Sequence, residues 1–540
     1  MEIKPVLIYE KLYVKGFRDR KPYGRAELPR LALLTASWDV VGSPRVRSSF
    51  ETPMRLSAFT SLLLSFALAQ PLQAHHIKQS AAKEMPATTS SPKARELFQR
   101  ALTDYENLYL ERANVGWRAA VQADPNFALA YVFLAYNSTD PGEAHTAQEK
   151  AKLLATKASP GERLVIQWIT SVKENNFIAG ISAMNDMREM FPKDKHLAYL
   201  AGNWMMGQNS YEQAQKTLQE ALAIDKNYPP ALNDLAYCYA QSREYPQAFE
   251  IMERYVAVLP TLPNPQDSYA EILRMSGKFD GALEHYRAAL KIDPWFVYSQ
   301  LGLADTYALM GNQTQARLEY DKAIQNAYTA ADRLTYALQS ATTWARENNL
   351  AEADKAFAAV AEKAHALGFE LTEAQAHRMM SLYQTDDAEA LKHLASSEDA
   401  LTHPTAGSIS QSDREDERAR ILRYRAVRSD HAGNHELASQ SLQQLETMAG
   451  STRSATVQSS YHGAAGTLLM SQPKIPEAIA HLEEDEDNPY SLELLSRAYS
   501  ITHASEKKHD VEVKLRASNM PTMEQAMVVP VVRSRRPDGE

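Results

Sequence analysis

The sequence predicts an all-α fold in which helix–turn–helix pairs stack into a long solenoid. The first reason is composition: the chain has only 20 glycines among 540 residues. Alanine, leucine, glutamate and glutamine dominate its middle, and these residues favour helices. The second reason is a repeat, because small residues recur every 34 positions: Gly180, Ala214, Ala248, Ala282 and Ala316. A fixed period of this length is typical of stacked helical repeats.

Five units follow this register without an insertion: 161–194, 195–228, 229–262, 263–296 and 297–330. Small residues at the eighth, twentieth and twenty-seventh places of a unit let two antiparallel helices approach closely. Late prolines such as Pro192 and Pro260 end the second helix. Gly277 and Gly311 fall in the turn between paired helices. A single pair cannot bury its apolar faces alone, so the units must stack.

These features resemble the tetratricopeptide repeat family, whose unit is a helix–turn–helix with small residues at those places and a late proline. The resemblance is clearest over 161–330 and, with weaker matches, extends over 94–504. It implies a right-handed superhelical solenoid of roughly nine to eleven helical pairs.

Outside the five clear units, the organisation is predicted from weaker patterns. The segment 405–418 is polar and charged, and we expect it to loop out of the array. Residues 505–540 are expected to form a C-terminal tail. Its apolar stretch AMVVPVV either docks on the last helices or binds elsewhere, and docking is the favoured alternative.

The N-terminal region contains a predicted export signal. Residues 54–74 read MRLSAFTSLLLSFALAQPLQA, with a basic start, an apolar run and small residues near the end. The apolar run is shorter than the roughly 20 residues of a membrane-spanning helix. Because the export signal begins only at Met54, residues 1–53 are expected to be a disordered or non-native extension. The polar residues 75–93 are expected to form a linker. Cleavage after Ala69 or Ala74 predicts a periplasmic or secreted protein without a membrane span.

Charge and cysteine content exclude further classes. The formal net charge of −9 and the isoelectric point near 6.0 argue against a nucleic-acid binder, which would be basic. The single cysteine excludes an intramolecular disulfide.

Catalytic and metal-binding patterns are scarce. The sequence has no GxSxG, no HExxH and no glycine-rich phosphate-binding motif. Cys238 lies within a predicted helix, where a buried structural thiol is expected. His431 and His435 are four residues apart, but Gly433 places a turn between them, so a shared metal is not expected. We predict no enzyme activity, no cofactor and no metal site.

The resemblance also implies where a partner binds. In the family, the first helix of each unit lines a concave groove. The corresponding places hold Tyr199, Asn203, Asn233, Asp234, Tyr237, Asp267, Glu271, Arg274 and Asp305. Asparagine and tyrosine there suit hydrogen bonding to an extended peptide. Arg274 is the lone clear cation, unlike the cationic places of members that clamp a carboxylate, so a neutral or basic segment is the expected partner.

Three functional hypotheses remain open from the sequence. The leading one is a non-catalytic scaffold in the bacterial envelope that binds a protein or peptide partner. The second is a regulatory or sensor module of a signalling system, since similar arrays are appended to bacterial kinases, cyclases and transcription factors. Residues 1–53 are too short for such an effector domain. The third and least favoured hypothesis is an unrecognised hydrolase with a scattered site.

Overall fold

Twenty-five α-helices and one short 3₁₀ helix make up the part of the chain that the computed structural model describes, namely residues 84–403, 409–472 and 474–535. These residues contain no strand, so the predicted all-α fold class is confirmed. The predicted extension 1–53, the leader 54–74 and residues 75–83 of the predicted linker lie outside the described residues.

The helices form twelve consecutive pairs, joined within each pair by short turns and followed by one terminal helix. The first six pairs consist of α1 Pro92–Glu106, α2 Leu110–Ala123, α3 Ala128–Asn137, α4 Pro141–Leu154, α5 Pro160–Lys173, α6 Phe177–Met190, α7 Lys195–Gly207, α8 Tyr211–Ile224, α9 Pro229–Gln241, α10 Tyr245–Val258, α11 Pro263–Met275 and α12 Phe279–Ile292. The 3₁₀ helix Ala155–Lys157 follows α4.

The second half of the array continues in the same way. Its helices are α13 Val297–Leu309, α14 Gln313–Asn326, α15 Ala330–Arg346, α16 Leu350–Leu367, α17 Glu370–Tyr383, α18 Asp387–Thr402, α19 Gln411–His431, α20 His435–Ser451, α21 Ala455–Met470, α22 Ile475–Glu483, α23 Pro489–Ile501, α24 Ser505–Arg516 and α25 Met523–Ser534.

Helix starts in the middle of the array keep the 34-residue interval. The first helices begin at Lys195, Pro229, Pro263 and Val297. The turns between paired helices keep it too, with one left-handed residue at the same place of each unit: Asn175, Asn209, Arg243, Gly277 and Gly311. Glycine and asparagine adopt this conformation at the lowest steric cost, which explains their use at most of these turns.

Small residues bring the helices into close contact. The alanines of the repeat, from Ala214 to Ala316, have no exposed surface. At Gly302 in α13, a Cβ atom would lie 2.1 Å from the ring of Tyr286. Because such contact leaves no room for a methyl group, the spacing of the two helices depends on glycine at this position.

The first helices of the pairs form an inner layer and the second helices an outer layer. Twelve of the 13 residues of α13 are buried, whereas only five of the 14 residues of its outer partner α14 are. A helix that is buried nearly all round is covered on both sides. The inner faces of the first helices must therefore be covered by other parts of the chain.

The prediction that 405–418 loops out is wrong for its second half. Helix α19 begins at Gln411, with the Ser410 side chain accepting from the Asp413 main-chain N–H. The charges that suggested a loop have partners in distant helices: Arg378 Nε lies 2.6 Å from Glu417. Residues 404–408 lie outside the described part of the chain.

The predicted tail from Ser505 contains two helices, and it docks on the array. Helix α24 pairs with α23, and Val528, Val529 and Val532 of α25 belong to an apolar cluster with residues of α22, α23 and α24. None of the helices in the described ranges combines the length and apolar character needed to cross a lipid bilayer.

Replacement of Gly311 by alanine is expected to lower stability. Its φ of +88° is a conformation that residues with a Cβ rarely adopt, although nothing lies within 4 Å of the added atom. The cost should be about 1 kcal/mol and should lower the midpoint of urea unfolding followed by far-UV circular dichroism. Gly450→Ala is the matched control, because its Cβ also meets nothing within 4 Å but its φ is not positive. Equal effects of the two substitutions would contradict the backbone explanation.

Candidate peptide-binding groove

The nine residues predicted to line a groove lie on four inner helices, α7, α9, α11 and α13. The ninth places of successive units form a row 34 residues apart: Asn203, Tyr237, Glu271 and Asp305. None of the nine residues is more than 6% exposed. The structure therefore places all nine in the interior of the array.

These side chains bond to one another across neighbouring inner helices. Asn203 Nδ2 donates to Asp234 Oδ2 at 2.6 Å. The Tyr237 hydroxyl donates to Glu271 Oε2 at 2.8 Å, one repeat further along. Arg274 Nη2 donates to the other oxygen of Glu271 at 2.5 Å. The repeat period thus brings equivalent places of adjacent units into direct contact.

The remaining predicted residues belong to the same layer. Asn233 Nδ2 lies 3.4 Å from Asp234 Oδ1, and the Tyr320 hydroxyl donates to Asp305. The hydroxyl of Ser299 donates to Asp267 Oδ1 at 2.6 Å. Burial raises the pKa of Asp267 to about 8, in spite of that hydrogen bond. A carboxyl group with this pKa is largely protonated at neutral pH, so this part of the layer is less negative than the sequence suggests.

The N-terminal helices approach the inner layer near α7 and α9. Glu106, the last residue of α1, lies 2.5 Å from His196 Nδ1 and accepts a 2.5 Å hydrogen bond from the Tyr228 hydroxyl. Burial lowers the pKa of His196, but the Glu106 carboxylate outweighs it and leaves the pKa raised. Tyr109 packs edge-on against Phe296, with 6.1 Å between ring centroids. These contacts between distant parts of the sequence show that the array curls back on itself.

The C-terminal segment, Ala517–Arg535, covers the inner face further along the array. Its stretch Ser518–Thr522 belongs to no helix, and α25 follows and contacts α15, α17 and α23. A tight turn closes this stretch, since the Thr522 N–H donates to the main-chain oxygen of Met520 at 2.9 Å. Arg274 Nη1 donates to the main-chain oxygen of Asn519 at 3.3 Å, and Arg346 Nη2 to that of Thr522 at 3.3 Å. Two inner helices thus bind the stretch through its main chain.

Side chains of the C-terminal segment add specific contacts. Asn519 Nδ2 donates to the main-chain oxygen of Met275 at 3.2 Å. Met523 is 2% exposed and belongs to an apolar cluster with residues of α15, α16 and α17. The Tyr424 hydroxyl donates to Glu524 Oε1 at 2.5 Å, and Arg346 Nη1 to Gln525 Oε1 at 2.6 Å. Main-chain hydrogen bonds combined with side-chain contacts are one way in which grooves hold peptides.

A cavity of about 260 Å³ remains beside the C-terminal segment. Its wall includes polar side chains of α15, α17, α19 and α21: Gln339, Thr342, Gln375, Arg378, Arg420 and Ser460. Gln339 Oε1 is buried there without a hydrogen-bond partner. A groove with unfilled volume and an unused acceptor can hold more than its present occupant.

Sequence reasoning missed this second half of the inner face. Gln339 and Gln375 lie beyond residue 330, where the 34-residue register is interrupted, so no period marked their places. The available signal was the apolar run in the tail, which pointed to a docking segment without saying where it docks.

The candidates for other chemistry have ordinary structural surroundings. Cys238 is fully buried, and burial raises the pKa of its thiol. His431 Nδ1 lies 2.5 Å from Asp387, whereas His435 Nδ1 lies 2.9 Å from Asp430. The two imidazoles therefore face different carboxylates. Within the described residues, no group of three or more metal-binding side chains comes together.

Asp267→Asn should stabilise the protein increasingly as the pH rises. The pKa of buried Asp267 is raised to about 8, whereas an unfolded aspartate titrates near ~4. Between these values the folded chain holds a proton that the unfolded chain has lost, so the parent loses stability with rising pH. The gain of the variant over the parent should grow by more than about 1 kcal/mol between pH 5 and pH 8.5.

Urea unfolding at both pH values measures this gain. Asp321→Asn, at an exposed position on α14, is the matched control and should show no such growth. A gain for Asp267→Asn that stays constant between the two pH values would contradict the prediction.

Comparisons with known proteins agree with the period of the sequence. A family model for the tetratricopeptide repeat matches residues 205–272, and a second one for the TPR repeat matches residues 270–311. A search of curated proteins finds no match to this chain.

Among solved structures, the chain is similar to yeast Tom70, with 14% identity, 77% of this chain and 96% of that chain covered, and a TM-score of 0.40. It is also similar to the APC/C hetero-tetramer Cut9–Hcn1, with 14% identity, 75% of this chain and 76% of that chain covered, and a TM-score of 0.36. A thermophilic TPR protein of Thermus thermophilus has 17% identity, with 33% of this chain and 97% of that chain covered, and a TM-score of 0.30. The family match to tetratricopeptide repeats extends over residues 205–311 of this chain.

Proposed function

We propose that this chain is a non-catalytic scaffold of the bacterial envelope that binds an extended segment of a protein partner along its inner face. The observation that carries the proposal is the main-chain recognition of Ser518–Thr522. Arg274 and Arg346 donate to carbonyl oxygens, which every peptide presents. Such contacts supply affinity, and side-chain pockets supply specificity.

The nature of the partner is inferred from the occupant that the groove already accepts. The C-terminal segment contains one acidic residue, Glu524, and two basic ones, Arg533 and Arg535. Its non-helical stretch from Ser518 to Thr522 has no charged side chain. We therefore expect a neutral or weakly basic partner segment. A nucleic acid is not the expected partner, given the net charge of −9.

The envelope location rests on the leader 54–74, which lies outside the described residues. Its basic start, short apolar run and small residues support export followed by cleavage. With one cysteine, the chain cannot form an intramolecular disulfide in the oxidising envelope.

N-terminal sequencing of the protein purified from its native cells tests the location. Export predicts a mature chain that begins at Gln70 or His75, recovered from the periplasmic or culture fraction. Recovery of intact protein beginning at Met1 in the cytoplasmic fraction would overturn the envelope assignment.

Gln339→Arg tests the binding face. The added cation and bulk would occupy the cavity beside Gln339 Oε1, so affinity for a partner that enters it should fall by about tenfold. The partner is first co-purified from envelope extract and identified, then purified and titrated by isothermal calorimetry. Gln443→Arg, at an exposed place on the outer helix α20, is the matched control and should leave the Kd unchanged. Equal Kd values for both variants and the parent would place the partner on another surface.

A further inference from the structure

The non-helical stretch Ser518–Thr522 of the C-terminal segment is held in a way that another peptide could reproduce. Arg274 and Arg346 contact it through main-chain oxygens of Asn519 and Thr522. These hydrogen bonds do not depend on side-chain identity. A different non-helical segment in the same position would therefore accept them equally well.

The packing around the C-terminal segment is incomplete on one side. Protein interiors are normally filled at the density of organic crystals, with few voids larger than a water molecule. Here about 260 Å³ remains next to residues 517–524, and Gln339 Oε1 in its wall is buried without a partner. The groove is larger than the segment that occupies it, which is expected of a binding site more than of a core.

Three side chains of the C-terminal segment make contacts that depend on residue type. The Asn519 amide donates to the main-chain oxygen of Met275 at 3.2 Å, and Met523 enters the apolar cluster of α15, α16 and α17. Met520 packs partly buried against a second apolar cluster. Methionine adapts its shape to irregular pockets, so these positions accept flexible apolar side chains.

The stretch Ser518–Thr522 and α25 follow the last helix pair in the chain and share no helix with it. Helix α24 ends at Arg516 and packs on α23, and Leu515 belongs to an apolar cluster with residues of α23 and α25. The C-terminal segment begins directly afterwards, so it can leave the groove without unwinding α24. Its tether also keeps its local concentration high, and a competing partner must overcome that advantage.

We propose that the C-terminal segment is an internal ligand of the inner face and that the protein partner binds by displacing it. The displacing segment is non-helical and uncharged, with a side-chain amide at the place of Asn519 and methionine or a similar flexible apolar residue at the places of Met520 and Met523. This inference rests on the proposed peptide-binding function and adds the chemistry of the ligand and its control.

Met523→Asp in the full chain tests displacement, because a carboxylate cannot enter the apolar cluster and should release the segment. A fluorescein-labelled peptide of residues 514–535 is titrated with each protein and followed by fluorescence anisotropy. The variant should bind the peptide at least about tenfold more tightly than the parent. Val531→Asp adds the same charge on α25 at a side chain that is 50% exposed and should behave as the parent. Equal peptide affinity of folded Met523→Asp and the parent would overturn the proposal.

Hydrogen exchange of the parent chain provides a second test that needs no variant. If the segment opens independently, amides of residues 518–529 should exchange at least about tenfold faster than those of α11 and α15, which hold it. Exchange of residues 518–529, α11 and α15 at the same rate would mean that the segment opens only together with the array. The internal-ligand proposal would then fail, whether or not Met523→Asp folds.

The identified partner separates this inference from the proposed function. If the partner binds the parent and Met523→Asp with equal affinity, and Gln339→Arg still weakens it, the scaffold function stands and displacement is refuted. If the labelled peptide binds Met523→Asp tightly but Gln339→Arg leaves the Kd of the partner unchanged, the internal-ligand proposal stands and the proposed partner site is refuted.

Discussion

The close approach of neighbouring helices is the constraint on which the rest of the array depends. Alanine or glycine at fixed places brings each inner helix against its own partner and against the next unit. At Gly202, an added Cβ would lie 2.7 Å from Leu218. Because the units from 195 to 330 repeat a small residue at this place, equivalent places of successive inner helices meet. Direct bonds such as Tyr237 to Glu271, 34 residues apart, follow from this geometry.

The inner face is divided between two roles. Around α7, α9 and α11 the polar groups are bonded to one another, and Glu106 at the end of α1 contacts this region at His196 and Tyr228. Buried carboxyl groups such as Asp267 carry a free-energy cost there, which neutralisation by a proton reduces. Around α15 and α17 the face is covered by a segment bound mainly through its main chain, beside an unfilled cavity. The second region is therefore better suited to exchange one peptide for another.

The mode of recognition differs from the carboxylate clamp that some tetratricopeptide arrays use. Arginines of this chain donate to the main-chain oxygens of Asn519 and Thr522. Arg274 illustrates the difference, since it bonds both to Glu271 and to the Asn519 carbonyl oxygen. It thereby links the buried polar layer to the proposed binding region.

The sequence by itself determined the repeat, because helix periodicity, turn glycines and close-packing alanines act over one or two units. It also assigned Tyr237, Glu271 and Arg274 to a partner groove, which stays a prediction, and the structure shows them buried on inner helices. Only the tertiary structure decided what covers them, since the covering contacts join residues as far apart as Arg274 and Asn519. Long-range contacts likewise explain why the charged stretch after Ser410 forms helix α19, where the sequence predicted a loop. No local pattern encodes which distant surfaces meet once a superhelix closes, so the occupied groove could be found only in the folded chain.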